Sequence, residues 1–197
     1  MREAEVNRQT NETSVSVHLN LDGTGVASNN TGIGFFDHML DQLAKHSLID
    51  IKINADGDLH IDDHHTVEDV GISIGKAIKK GLGDKTGIRR YGSCLLPMDE
   101  SLVRSALDLS GRAAIIWDVK FESTKIGFFD VELINEFFKA MCLNAEMNLH
   151  VALISGSNSH HIAEATFKSI ARSLRQAVEI DPRRSQYIPS TKGTLSE

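Results

Sequence analysis

Hydrophobic and polar residues alternate along this chain of 197 residues with two different periods. Apolar residues at every second position predict half-buried β-strands, and apolar residues spaced three and four apart predict amphipathic helices. The alternating segments predict strands at 15–19, 49–53 and 149–154. The helical spacing predicts helices that begin near Asp37, after the first His-His pair, at Asp130 and at His160. The region 91–120 is predicted to form three strands, with Gly111 at the turn between the last two.

Short segments of the first half recur in the same order in the second half. They are Gly34–Asp37 with Gly127–Asp130, Leu59–Ile61 with Leu149–Val151, and His64–Glu68 with His160–Glu164. This repetition predicts an internal duplication, in which one catalytic chain is built from two similar halves at about 1–92 and 93–197. Each half has the order strands, helix, strand, helix. Since amphipathic helices cover one face of a sheet, we expect an α+β fold with four helices sandwiched between two sheets.

Charge and composition exclude several classes of protein. The chain has 21 lysines and arginines against 27 acidic residues, which argues against sequence-independent nucleic-acid binding. The apolar stretches, such as Ala113–Trp117, are too short to cross a membrane, and the first ten residues lack the apolar core of a signal peptide. Cys94 and Cys142 lie in apolar surroundings and are interpreted as buried, reduced thiols. We therefore expect a cytoplasmic protein.

Histidine is enriched, with nine in the chain, and four of the nine form two His-His-x-x-Glu patterns. In each pattern a histidine and a glutamate four residues apart lie on one helical face and can chelate one ion: His64 with Glu68, and His160 with Glu164. The second histidine of each pair points about 100° away and must serve another site. A pseudo-twofold pairing of the halves would let His65 complete the second of these sites and His161 the first. The spacing thus predicts two metal sites, each with two histidines and one glutamate.

The chemistry of these ligands leaves alternatives open. Imidazole and carboxylate suit Mn, Fe, Zn or Ni, and the spacing does not choose among them. A weaker interpretation is that each His-His pair only starts a helix on the surface. Asp62 and Asp63, just before the first pair, are expected to cap the helix, or to orient the imidazoles. A dinuclear hydrolase and a non-catalytic metal-binding shell protein would use the same ligands.

The other histidines differ in their expected roles. His38 is a candidate for a further ligand, and for His46 a binding role and a surface role are equally favoured. A structural role is expected for the remaining three: His18, His60 and His150.

Three basic segments predict recognition of a phosphate. They are Arg89–Arg90, Arg112 at the predicted turn, and Ser190–Gly193 near the C-terminus. Arginine offers a planar fork for phosphate oxygens and lysine a flexible point charge. The third segment follows the last predicted helix and could close over a ligand.

Seven segments resemble the signature sequences of the imidazoleglycerol-phosphate dehydratase family. They are FFDHMLDQLAKHS, DDHHTVEDVGI, GIRRYGS, PMDESL, SGR, HHIAEATFKSIARSLRQAV and IPSTKG. The resemblance implies a fold of the ribosomal protein S5 domain 2-like type. It also implies conversion of D-erythro-imidazole-glycerol phosphate to imidazole-acetol phosphate in histidine biosynthesis. For this reaction we expect a metal-bound imidazolate and a diazafulvene-like intermediate, because the C–H bond next to the phosphate arm is not acidic by itself. Two Mn²⁺ ions per active site and a 24-subunit shell built from trimers, with sites between subunits, are implied as well.

The resemblance also implies roles for particular residues. One Mn²⁺ would be held by His38, His65, His160 and Glu164. The other would be held by His64, Glu68, His161 and Glu136, of which Glu136 stands where the family often has histidine. The phosphate would be bound by Arg90, Arg112, Lys168, Ser190, Thr191 and Lys192. Glu12 matches the acid/base glutamate of the family, with His46 as the weaker candidate for moving a proton.

Overall fold

The computed structural model describes residues 2–195. The elements run in the order β1 (Glu3–Gln9), β2 (Thr13–Asn20), β3 (Ala27–Asn30), α1 (Gly34–Ser47), β4 (Asp50–Gly57), α2 (His64–Leu82), β5 (Tyr91–Met98), β6 (Ser101–Asp108), β7 (Ala114–Asp118), β8 (Lys125–Ile126), β9 (Phe129–Asp130), α3 (Glu132–Ala145), β10 (Asn148–Ser155) and α4 (Ser159–Val178).

The two halves have the same sheet topology. The first sheet has the strand order β1-β2-β4-β3 and the second has the order β5-β6-β10-β7. In both sheets the last strand pairs in parallel with its neighbour, while the other pairings are antiparallel. The predicted duplication and α+β class are therefore confirmed. The second set of strands begins at Tyr91, next to the predicted boundary at about residue 92, although the division into halves as units stays a prediction.

Only one of the three sequence repeats joins equivalent positions. Gly34–Asp37 opens α1, whereas Gly127–Asp130 lies in the β8–β9 hairpin ahead of α3. Leu59–Ile61 lies in the turn after β4, whereas Leu149–Val151 lies inside β10. These two pairings were wrong, because three or four residues adopt whichever conformation their tertiary surroundings stabilise. The His-His pairs, in contrast, both occupy the first turn of a long helix.

The strands that the periodicity did not predict have weak apolar patterns. In β1 the inward positions include Ala4 and Val6, and the rest of the strand is charged or amide-bearing. The sequence of β3 is Ala-Ser-Asn-Asn, and its pairing with β4 places it in the sheet. Tertiary pairing thus formed strands where local propensity did not indicate them.

The four helices lie between the sheets, as the sequence predicts. Helix α2 packs on β1 and β2, and α4 packs on β5 and β6, while α2 contacts α3 and α1 contacts α4. The centre of the layer is aromatic: the ring of Phe137 lies 5.2 Å from Phe36, 4.9 Å from Phe138 and 5.6 Å from Phe167. Helices α2 and α4, whose first turns carry the His-His pairs, are both part of this packed layer.

Gly75 allows α2 and α3 to approach closely, and we expect its replacement to destabilise the protein. A Cβ atom at this position would lie 2.5 Å from the carbonyl oxygen of Met141 and 2.8 Å from the Cβ of Asn144. Gly75→Ala should therefore cost about 1–3 kcal/mol, since the helices must separate. Gly34→Ala in α1 is the control, because nothing lies within 4 Å of its Cβ position. Thermal unfolding would measure the difference, and equal midpoints for both variants would contradict it.

Within residues 2–195 we find no helix with the length and apolar character needed to span a membrane.

Of the two cysteines, Cys142 is buried, as predicted, and burial raises its pKa to about 12. Cys94 is only half-buried, because β5 is an edge strand of the second sheet. A thiol with the raised pKa of Cys142 does not supply a thiolate ligand at neutral pH.

Candidate metal centre

The N-terminus of α4 presents two adjacent histidines. Asn158 is the N-cap, and its side-chain oxygen accepts hydrogen bonds from the backbone N–H groups of His160 at 2.9 Å and His161 at 3.3 Å. A cap of this kind satisfies donors that have no partner within the helix. It therefore fixes both histidines in the first turn.

Three potential metal ligands converge between α1 and α4. The Nε2 atoms of His38 and His160 each lie 3.1 Å from Oε1 of Glu164. All three donor atoms lie within 4.8 Å of one another, and they form the one group of three histidine, cysteine or acidic ligands found in the described part of the chain. We call these residues the α1–α4 cluster. His160 and Glu164 share a helical face as predicted, and α1 brings His38 to them.

Glu164 is a buried carboxylate that stays charged. Burial raises the pKa of this group, but hydrogen bonds from Lys168, His38 and His160 outweigh it and leave the pKa at about 2. Lys168 reaches Oε2, so the two carboxylate oxygens face different partners. The Glu164 carboxylate is therefore ionised throughout the physiological pH range. Together with the two imidazoles it forms a donor set that divalent metals accept.

The start of α2 carries the equivalent His-His pair beside a different set of acids. The Nδ1 atom of His65 lies 3.0 Å from Oδ2 of Asp58 and 3.8 Å from Oε2 of Glu12. The hydrogen bond to Asp58 is the largest cause of a raised pKa at His65. Asp62 accepts a hydrogen bond from the backbone N–H of His64 at 2.8 Å, so its predicted capping role is confirmed. Asp63 occupies the N-cap position without a capping side-chain hydrogen bond.

His161 has a matching carboxylate partner. Its Nδ1 atom lies 2.7 Å from Oε2 of Glu100, and this hydrogen bond is the largest cause of the raised pKa of His161 and of the lowered pKa of Glu100. The other oxygen of Glu100 accepts the backbone N–H groups of Ser157 and Asn158. Sequence reasoning missed Asp58 and Glu100, because Asp58 precedes the predicted helix, seven residues from His65, and Glu100 is 61 residues from His161 along the chain.

The described residues of one chain do not by themselves bring the two His-His pairs together. His65 does not join the α1–α4 cluster, and His161 does not meet His64 and Glu68 in a group of three within residues 2–195. The physical reason is that α2 packs against α3 while α4 packs against α1, so each pair keeps its own surroundings. Glu136, on α3, forms an ion pair with Lys139 at 3.4 Å. The second set of predicted ligands is therefore incomplete in a single chain.

Three of the predicted phosphate-binding residues line a common cavity. Arg90, Ser190 and Thr191 border a space of about 700 Å³. The guanidinium of Arg90 pairs with Asp108 through Nε at 2.7 Å and Nη2 at 3.0 Å, and its Nη1 donates to the carbonyl of Pro189 at 2.9 Å. Arg90 thereby holds the C-terminal segment against the protein.

The other basic residues that were predicted to bind the phosphate do not line this cavity. Arg183 and Arg184 also line this cavity, although no sequence pattern indicated them. Arg112 and Lys192 are exposed and do not line it, and Lys168 lies beside Glu164. The structure therefore brings the basic residues to more than one place.

Glu12 lies in the tight turn between β1 and β2. Its side chain is exposed, its backbone N–H bonds the hydroxyl of Thr10 at 3.1 Å, and its carbonyl accepts the N–H of Asp58 at 3.1 Å. Next to it, the hydroxyl of Thr13 donates to the buried Asp69 of α2. These bonds hold the turn against the start of α2.

The other histidines lie away from the α1–α4 cluster, apart from His46. His46 is half-buried on α1, and its pKa is lowered by burial, by Lys168 and by Arg172. His18, His60 and His150 are exposed. His60 lies in the turn after β4 and not on a strand as expected, because β4 ends at Gly57.

Comparison with known proteins identifies the family of this chain. The family model for imidazoleglycerol-phosphate dehydratase matches residues 31–174. Proteins of that name from Dinoroseobacter shibae and Ruegeria pomeroyi are 62% and 63% identical over 195 residues, covering 99% of this chain and all of each relative. The crystal structure of the Staphylococcus aureus enzyme has a TM-score of 0.83 at 37% identity, covering 91% of this chain and 99% of that one. The enzyme from Pyrococcus furiosus, in complex with (S)-C348, has a TM-score of 0.79 at 32% identity, covering 96% and 99%. The chain therefore belongs to the imidazoleglycerol-phosphate dehydratase family, whose members are hydro-lyases of histidine biosynthesis.

Proposed function

We propose that the chain removes water from D-erythro-imidazole-glycerol phosphate to give imidazole-acetol phosphate, and that it uses Mn²⁺. The observation that carries this proposal is the α1–α4 cluster, in which two imidazoles and one ionised carboxylate converge within 4.8 Å in a member of this dehydratase family. Imidazole and carboxylate donors without a thiolate suit Mn²⁺.

The ligand sets follow the two His-His pairs. We propose that one Mn²⁺ is held by His38, His160 and Glu164 together with His65. The other ion would be held by His64, Glu68, Glu136 and His161. Because one chain does not gather either complete set, we propose that residues of neighbouring subunits complete both. The Nδ1 atoms of His65 and His161 already face carboxylates, which supports metal binding through Nε2.

A metal bound at these residues would act as a Lewis acid toward the imidazole ring of the substrate. The rest of the chemistry requires loss of the hydroxyl next to the ring and removal of a proton from the neighbouring carbon. Glu12 is the proposed base, since its exposed carboxylate lies 3.8 Å from the Nδ1 atom of the proposed ligand His65. His46 is the weaker alternative. The hydroxyl leaves first and the proton of the neighbouring carbon follows, so that one molecule of water is lost in total, and the enol that remains becomes the ketone.

The phosphate arm would hold the far end of the substrate. We propose that it meets Arg90, Ser190 and Thr191, which line one cavity, and also Arg112, Lys168 and Lys192. Binding energy from these contacts would position the reacting carbons near Glu12.

Removal of the metal tests the proposal. Mn-loaded protein should consume imidazole-glycerol phosphate, and chelation should reduce the rate by at least about 100-fold, since a Lewis acid supplies several kcal/mol. Adding Mn²⁺ back should restore it. Full activity in the chelated protein would contradict the metal chemistry. Release of inorganic phosphate without dehydration would instead indicate a hydrolase.

We also propose a homo-oligomer, a 24-subunit shell built from trimers, with no nucleic acid or membrane as partner. The second sheet exposes apolar side chains on its strands β5, β7 and β10: Leu95, Ile116 and Ile154. Exposed positions of the first sheet are polar instead: Ser14, His18, Lys52 and Asn54. An apolar face of this kind favours contact with another chain. Sedimentation of the loaded and chelated samples would measure the assembly, and a monomer in both would contradict it.

A cytoplasmic location is part of the proposal. Cys94 and Cys142 are free thiols, which is typical of a reducing compartment.

A further inference from the structure

The second histidine of each His-His pair has the same contact in both halves. Asp58 lies 3.0 Å from the Nδ1 atom of His65, and Glu100 lies 2.7 Å from the Nδ1 atom of His161. A carboxylate accepts hydrogen bonds but does not donate them, so each Nδ1 must carry the proton. The lone pair then lies on Nε2, which is the atom that a metal would take.

The two carboxylates come from positions that are not equivalent in the duplication. Glu100 lies in the turn between β5 and β6, whereas Asp58 follows the end of β4. The equivalent of the β5–β6 turn in the first half is the β1–β2 turn, which carries Glu12. Glu12 is therefore the structural counterpart of Glu100. Its carboxylate lies 3.8 Å from the Nδ1 atom of His65, beyond hydrogen-bonding distance.

We propose that Asp58 and Glu100 are positioning residues that hold His65 and His161 for metal binding, and that Asp58 thereby releases Glu12 for proton transfer. This proposal rests on the proposed function. In the second half Glu100, in the β5–β6 turn, itself orients His161. In the first half Asp58 orients His65, so that Glu12, in the β1–β2 turn, keeps its carboxylate oxygens for the substrate.

The surroundings of each carboxylate support a fixed orientation. The Oε1 atom of Glu100 accepts the N–H groups of Ser157 at 3.2 Å and Asn158 at 2.8 Å, which leaves Oε2 directed at His161. The backbone N–H of Asp58 bonds the carbonyl of Glu12 at 3.1 Å, so Asp58 is anchored to the turn that carries Glu12. The Nε2 atom of His161 lies 3.6 Å from Oδ2 of the exposed Asp99, and this distance is too long for a hydrogen bond.

The experiment is a titration of the assembled, metal-free protein with Mn²⁺ followed by electron paramagnetic resonance. Asp58→Ala and Glu100→Gln should each weaken Mn²⁺ binding about 10–100-fold, which is the effect of losing the partner of a metal-bound histidine. In Glu100→Gln the amide can donate to Nδ1 and move the imidazole proton to Nε2. Glu100→Asp keeps the carboxylate and should regain part of the affinity.

Asp62→Ala is the matched control. Asp62 is also an acid at the start of α2, but it bonds the backbone of His64 and not an imidazole. This variant should lose thermal stability. Its Mn²⁺ affinity should stay within about threefold of the wild type, because the imidazole of His65 keeps its hydrogen bond to Asp58. Wild-type Mn²⁺ affinity in both Asp58→Ala and Glu100→Gln would overturn the positioning role, even if the wild type is an active dehydratase. A wild type that binds Mn²⁺ without dehydrating the substrate would contradict the proposed function instead.

The proposal that Asp58 keeps Glu12 from bonding His65 is tested separately by measuring kcat. At saturating Mn²⁺ the kcat of Glu100→Asp should return close to that of the wild type. The kcat of Asp58→Ala should stay at least about tenfold lower, since Glu12 can then bond His65 in place of Asp58. Full recovery of kcat in Asp58→Ala would overturn the claim that Asp58 keeps Glu12 free.

Discussion

Glu164→Gln should lower dehydratase activity by roughly 100- to 1,000-fold at a fixed, limiting Mn²⁺ concentration. The substitution keeps the shape of the side chain but removes the negative charge that His38, His160 and Lys168 all face. A neutral amide is a weaker ligand for a hard cation, and Lys168 would be left with an unpaired charge in the cluster. Several kcal/mol of Lewis-acid stabilisation would be lost with the metal.

The measurement is kcat/KM together with the metal content of the purified protein. Glu179→Gln is a suitable control, since it makes the same change at the end of α4, where Glu179 pairs with Arg175 at 3.5 Å. It should retain activity within about threefold, because an exposed pair of this kind contributes little. Normal metal content and normal activity in Glu164→Gln would exclude the α1–α4 cluster as a metal site.

Helical spacing was sufficient to predict the part of the cluster that lies within one element. His160 and Glu164 are four residues apart on α4, and such residues lie on one face of a helix. The Nε2 atom of His160 accordingly lies 3.1 Å from Oε1 of Glu164. The contribution of His38 depends on the packing of α1 on α4, which no local pattern specifies. Only the family resemblance indicated His38 as a member of this set.

Contacts between loops and helices could not be predicted from the sequence. Asp62 and Asp63 directly precede His64, so proximity along the chain suggested them as partners of the imidazoles. The structure gives that position to Asp58, because the turn after β4 folds back toward the start of α2. Glu100 reaches His161 through the β5–β6 turn, whose position relative to α4 depends on the packing of the second sheet. Long-range packing therefore decided which acids face the histidines.

Prediction of the strands from the sequence also depended on how much of each strand is decided by long-range packing. Strand β2 has strict alternation, with Val15, Val17 and Leu19 buried, and the sequence predicted it. Strand β3 has no such pattern and depends on parallel pairing with β4. The period is visible in the sequence where apolar residues fill the buried face of a strand. It is not visible in β3, because the half-buried positions of this strand are Ala27 and Asn29.

Glu12→Gln should reduce kcat about 100- to 10,000-fold while Mn²⁺ content stays unchanged, because general acid–base catalysis contributes on that scale. The amide keeps the size of the side chain but cannot take a proton from carbon. The backbone bonds of the turn to Thr10 and Asp58 do not involve the carboxylate and should survive. Glu12→Asp keeps the carboxylate and should retain more activity than Glu12→Gln, since only the reach of the group is shortened.

Steady-state kinetics and metal analysis on the same samples would distinguish a role of Glu12 in proton transfer from a role in metal binding. Glu3→Gln is the control, as Glu3 is an exposed acid at the start of β1 and should be replaceable with little effect on kcat. If Glu12→Gln lost Mn²⁺ in proportion to activity, Glu12 would have a structural or ligand role at His65 and not a role in proton transfer. If kcat were unchanged, the proton would move through another group. His46 would then be the residue to replace, because burial and the nearby Lys168 and Arg172 lower its pKa and favour the neutral imidazole that a base requires.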